Sequence, residues 1–80
     1  MKHDAFRFLS AAREYSETKR EVLIPTRVIA AQCDMEDFRV EQTMTYLEDH
    51  GYISGVMRAL GEPYPVAFRI SSDGHDWLDA

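Results

Sequence analysis

The run "EDFRVEQTMTYLEDHGYI", Glu36 to Ile53, constrains the fold more than any other stretch. Projected at about 100° per residue, Val40, Met44 and Leu47 share one face, the spacing of a helix packed on a core. The helix is expected from about residue 35 to 50. It should stop at Gly51, because glycine takes the left-handed conformation of a C-terminal cap at little steric cost. Beyond Gly51 the pattern changes. "YISGVMRA" and "VAFRI" read as strands, and "LGEPYP" between them holds two prolines and reads as their turn.

Upstream, "HDAFRFLSAAREY" reads as an amphipathic helix, with Ala5, Phe8, Leu9 and Ala12 at i, i+3, i+4 and i+7 and Tyr15 continuing the face. The polar "SETKR" is expected to end it. "EVLIP" reads as a short strand closed by Pro25. Thr26 is then expected to cap the short helix "RVIAAQC", and Asp34 to cap the next, whose first turn holds Glu36 and Asp37, where the helix dipole favours anions. The last ten residues, "SSDGHDWLDA", read as a final short helix. Two short helices at a tight turn followed by a hairpin make a winged helix-turn-helix. The expectation is therefore one α+β domain over residues 1–80, with three or four helices, a short strand and a β-hairpin wing. The helix over 35–50 is the recognition helix.

A chain of 80 residues buries only roughly 60% of its unfolded surface, so its stability margin is thin. No disulfide adds to it, because Cys33 is alone. One Cys and three scattered His (His3, His50, His75) show no paired ligand spacing, so no metal and no cofactor is expected. Cys33, in "VIAAQCD", fits the core of a protein in a reducing compartment. No apolar run approaches the about 18 residues needed to span a membrane, and no signal peptide precedes the first helix. A soluble cytoplasmic domain with no membrane partner is expected.

The net charge of −5 is unevenly spread. Residues 1–33 hold six bases and four acids, while residues 34–80 hold three bases and ten acids. An acidic surface repels polyphosphate; it favours basic protein partners or serves solubility alone.

Two stretches carry a resemblance. "EQTMTYLEDHGYI" resembles the run by which winged helices pass from recognition helix to wing, here through Leu47, Gly51 and Ile53. "RISSDGHDWLDA" resembles the ending, roughly Leu-Thr-x-x-Gly-His-x-Phe-Leu, of a small uncharacterised winged-helix family of phages and prophages. Ile70, Ser71, Gly74, His75, Asp76, Trp77, Leu78, Asp79 and Ala80 stand at the matching positions. The opening "MKHD" is in the same style. Ser71 replaces the usual Thr, and Ser16 to Cys33 finds no match. The resemblance implies a fold and a mobile-element origin but no reaction.

"SSDGH" brings Ser, Asp and His within five residues, yet a catalytic triad is assembled in space around a supported nucleophile. Capping explains the motif without catalysis: Ser71 as N-cap, Asp73 in the first turn, Gly74 allowing close approach, Trp77 and Leu78 anchoring the helix. The chain is not expected to be an enzyme. His50 is expected to cap the recognition helix; a pH-sensing pair with His75 is the alternative.

Opposite its core face the recognition helix holds Phe38, Arg39, Gln42, Thr45, Tyr46 and Asp49, with Phe38, Gln42 and Tyr46 in an i, i+4, i+8 row. From Glu36 to Asp49 there are five acids and one base, Arg39. Glu41, Glu48 and Asp49 have no cation at i±3 or i±4, so capping and helical pairing leave them unexplained. They are either solvating charges or contacts for a basic partner. A host or phage protein is the expected partner, bound through Phe38, Glu41, Gln42, Tyr46, Glu48 and Asp49. The sharpest form is inhibition of a host nucleic-acid-handling or defence complex by phosphate mimicry, with Glu41, Glu48 and Asp49 as the mimic. Two alternatives stand beside it. One is a DNA-binding regulator reading bases with Arg39, Gln42 and Thr45, with the wing's Arg58 as phosphate contact. Nucleic acid is the lesser expectation, since the other bases (Lys2, Arg7, Arg13, Lys19, Arg20, Arg27, Arg69) are scattered. The other alternative is a structural homodimer, which would also relieve the thin stability margin.

Overall fold

A computed structural model describes residues 2–80. Helix α1 spans Lys2–Lys19, strand β1 Ile24–Pro25, α2 Thr26–Gln32, α3 Asp37–Asp49, β2 Ile53–Met57, β3 Ala67–Ile70 and α4 Ser72–Asp79. The three strands form one antiparallel sheet in the order β1-β3-β2. This is an α+β winged helix-turn-helix: α2 and α3 meet at a short turn, and β2 with β3 forms the wing. Ile24 lies opposite Phe68, and Ile53 opposite Ile70. The wing's register is irregular between Ser54 and Met57, where Gly55 adopts φ +58°.

The expected stripes form the core. Ala5, Phe8, Leu9 and Ala12 of α1 and Val40, Met44 and Leu47 of α3 are buried, together with Ile24, Ile29, Ile53 and Phe68. The Phe8 and Phe68 rings, 6.0 Å apart, join α1 to the sheet. Cys33 is buried, and that burial pushes its thiol pKa up. Among the described residues no helix is long and apolar enough to cross a membrane.

Three helices end in the same way. The N–H of Glu21 donates to the Ser16 carbonyl at 3.1 Å, that of Met35 to Ala30 at 3.1 Å, and that of Tyr52 to Leu47 at 2.9 Å. Each bond spans six residues and closes over a left-handed residue: Arg20 at φ 56°, Asp34 at φ 54° and Gly51 at φ 72°. These are Schellman caps. They correct two expectations. The polar "SETKR" does not end α1 at Tyr15: Glu17, Thr18 and Lys19 continue the helix on its solvent side, and Arg20 turns the chain. Asp34 is not the N-cap of α3 but the left-handed residue that closes α2. The N-caps of α2 and α3 are Pro25 and Glu36, neither with a side-chain cap bond, and Thr26 is instead the fully buried first residue of α2.

At α4 the expected cap is present. Ser71 Oγ accepts from the Gly74 N–H at 3.0 Å and donates to the Gly51 carbonyl at 2.5 Å. Gly74 lies directly under the Tyr52 carbonyl, closer than a side chain would permit. The start of α4 is thus locked onto the junction between α3 and β2.

Candidate interaction face of the third helix

Helix α3 is seated by the triad that sequence periodicity marks and by one residue it does not, Thr43, which is also buried. Phe38, Arg39, Gln42, Thr45, Glu48 and Asp49 face solvent. Phe38 is 68% exposed. The expected row Phe38, Gln42, Tyr46 is incomplete, because Tyr46 lies half-buried against the core and stacks on His50 with centroids 4.1 Å apart. His50 Nδ1 stands 2.9 Å from the Tyr46 carbonyl oxygen and donates to it, so this histidine does close the helix end. The stack continues from His50 to Tyr52 at 5.5 Å and from Tyr52 to Trp77 at 4.6 Å. Trp77 is half-buried and packs against the core, and Leu78 is buried, so both anchor α4 as expected.

The charges of this face are not arranged as the helix alone suggests. Arg58, on the wing just beyond β2, reaches α3 with one guanidinium nitrogen 3.5 Å from Glu41 and the other 3.6 Å from Glu48. Glu41 and Glu48 lack a cation along the helix but share one in space. Only Asp49 of the three acids stands outside the ion pairs among the described residues. Glu41 Oε1 is buried with no hydrogen-bond partner there. Arg39 is also taken. It donates to Asp4 on α1 at 2.5 Å, and this bond holds the Asp4 carboxyl below its ordinary value and raises Arg39. Asp4 also lies 3.9 Å from Arg7, which donates to the Cys33 carbonyl at 2.8 Å in the turn between α2 and α3. Asp4 and Arg7 thus brace the helix-turn-helix from α1. Sequence reasoning missed both, since no local pattern links α1 to that turn.

The loop of the wing folds back on α2. Arg27 pairs with Glu62 at 3.1 Å and lies over the Tyr64 ring at 5.8 Å. Leu60 is fully exposed and Met57 about half. In "SSDGH", Ser71 Oγ is occupied by its two backbone contacts and His75 faces solvent. No group of three or more His, Cys, Asp or Glu among the described residues is placed to hold a metal ion.

No family model, curated protein or solved structure matches the chain.

Proposed function

We propose that this chain is a non-enzymatic winged-helix protein that binds another protein through the exposed face of α3 and its wing. One observation carries the reading. Of the three bases on α3 and the wing, two are held by carboxylates of the same chain, Arg39 by Asp4 and Arg58 by Glu41 and Glu48, and only Arg69 stands outside the ion pairs among the described residues. Duplex affinity comes largely from neutralising phosphates. A face with two of its three cations internally neutralised, flanked by exposed Glu36, Asp37 and Asp49, is poor at that. It suits a basic protein surface, with Phe38 as apolar anchor.

In its sharpest form the partner is a nucleic-acid-handling host complex, and the carboxylates stand where phosphates would. Asp49 is free for that role; Glu41 and Glu48 serve it when Arg58 is displaced. This form rests on charge placement and on the resemblance to phage winged helices.

Two measurements test the reading. Fluorescence anisotropy of short duplexes against a salt series should show no binding even at low salt; binding that weakens steeply with salt would overturn it and favour an operator-reading regulator. Affinity capture from host lysate should retain a protein on the native chain. The triple variant Glu41→Gln, Glu48→Gln, Asp49→Asn should lose it. Retention by that variant would remove the mimicry.

A further inference from the structure

A concave surface lies apart from the α3 face. Between the first turns of α1 and the end of α4 runs an open groove of about 560 Å³, lined among the described residues by Lys2, His3, Phe6, Trp77 and Ala80. Its walls are aromatic. Phe6 meets Trp77 edge to face, with centroids 5.3 Å apart and planes at 73°. Phe6 is a large apolar side chain left 43% exposed. Trp77 is braced from behind by the stack through Tyr52 and His50 to Tyr46. A seat held in place before its ligand arrives loses little freedom on binding.

The rim carries one cation, Lys2, and one ring donor, His3. Lys2 and His3 are exposed and take part in none of the ion pairs among the described residues. The two arginines of α1, Arg7 and Arg13, already hold acids, and Lys19, the other base of that helix, stands at its far end. An apolar floor with unpaired donors at its edge selects an aromatic group that carries negative charge beside it. The groove is open rather than enclosed, so it can take one side chain of a segment that runs on past it. Pockets for free small molecules bury most of the ligand's surface, which this groove does not do.

We propose that the groove is a second docking site, for a protein segment presenting an aromatic side chain flanked by carboxylates. The ring packs against Phe6 and Trp77, and the carboxylates meet Lys2 and His3.

Trp77 is the only tryptophan of the chain, so its emission reports on the groove. The full chain is titrated with blocked Asp-Asp-Phe-Asp-Asp, with blocked Lys-Lys-Phe-Lys-Lys, and with phenylacetate. The acidic peptide should give a saturable change in emission, and the basic peptide should bind at least tenfold more weakly. Phenylacetate should be weaker than the acidic peptide. The double variant Lys2→Glu, His3→Glu should reverse the order of the two peptides with an unchanged circular dichroism spectrum. Phe6→Ala should abolish both responses. If Phe6→Ala proves unfolded, the charge-reversal variant carries the test alone, because both its positions are exposed. An absent response to the acidic peptide, or equal responses to both peptides, would overturn the proposal. So would phenylacetate binding as tightly as the acidic peptide, which would make the groove a small-molecule site. The substituted residues, Lys2, His3 and Phe6, all lie on α1, so failure of these tests leaves the reading of the α3 face standing.

Discussion

Arg58 on the wing and Glu41 on α3 stand 3.5 Å apart, and the same guanidinium reaches Glu48 at 3.6 Å. One cation therefore ties the wing to two turns of the recognition helix. All three side chains are more than a third exposed, so solvent screens the contact, and exposed pairs contribute roughly 0–1 kcal/mol. Arg58→Ala should cost no more than about 1 kcal/mol in urea unfolding. Its larger effect should be local, as faster amide exchange in β2 and β3 than in α1. Salt at about 0.5 M should reproduce that acceleration in the native chain. An Arg58→Ala loss of several kcal/mol would show that the tie is a core contact instead.

Asp4 and Arg39 make the second tie, and it predicts a pH dependence. The hydrogen bond from Arg39 lowers the Asp4 pKa below its ordinary 3.8. A carboxyl depressed in the folded state adds stability that is fully present above its unfolded value and lost as pH falls through its folded value. Asp4→Asn should therefore be less stable than the native chain at neutral pH. The gap should narrow as pH falls below the ordinary value of 3.8. Unfolding curves for both proteins at pH 7 and at about pH 2.5 check this; a gap of unchanged size at the lower pH would assign the loss to packing.

What the chain's order discloses, and what it hides, follows from the range of each interaction. The core faces of α1 and α3 are periodic, so Phe8, Leu9, Met44 and Leu47 could be placed from spacing alone. Gly51, Ser71 and Gly74 could be read because glycine and serine have few local uses at helix ends. Arg20 and Asp34 close helices in the same geometry as Gly51, but arginine gives no sign of a left-handed backbone, and aspartate, which adopts it more often, reads equally well as an N-cap. The solvent face of α3 was legible only as a list of outward positions. Its charge state depends on Asp4, 35 residues away in sequence from Arg39, and on a wing arginine that the hairpin brings beside Glu41 and Glu48. Tyr46 left the exposed row by packing half-buried against the core and stacking on His50.

Gly74 should tolerate no side chain. A Cβ there would overlap the Tyr52 carbonyl oxygen and meet Ile70 Cγ2 at 3.0 Å. The obstacle is backbone, which cannot rotate away. Alanine gains about 1 kcal/mol of helix propensity over glycine, yet overpacking typically costs 1–3 kcal/mol and occasionally more. Gly74→Ala should be net destabilising by about 1–2 kcal/mol, seen as a lower Tm and, by proton exchange, as early opening of α4. A neutral effect would mean that α4 can lift away from Tyr52.

Asp34 should be improvable. Its φ of 54° is strained for a residue with a Cβ, and left-handed backbone costs an L-residue about 1–2 kcal/mol. Glycine removes that cost and returns part of it as unfolded-state entropy. Asp34→Gly should raise stability by about 0.5–1 kcal/mol and Tm by a few degrees. Ala at the same position should not help, and that contrast separates backbone strain from the loss of a carboxylate.

Thr43 offers the most direct test of how α3 is seated. It is 1% exposed on the core side of the helix, and its hydroxyl has no partner among the described residues. A buried polar group without a hydrogen bond costs about 1–3 kcal/mol relative to a satisfied one. Valine keeps the branched shape and removes the hydroxyl. Thr43→Val should therefore stabilise the protein by about 1 kcal/mol in urea unfolding, with an unchanged m-value. Thr43→Ala removes the hydroxyl and also opens a cavity, so it should be destabilising. If Thr43→Val is destabilising instead, the hydroxyl is satisfied by an ordered water or by the carbonyl one turn earlier, and α3 sits differently on α1 from the arrangement described above.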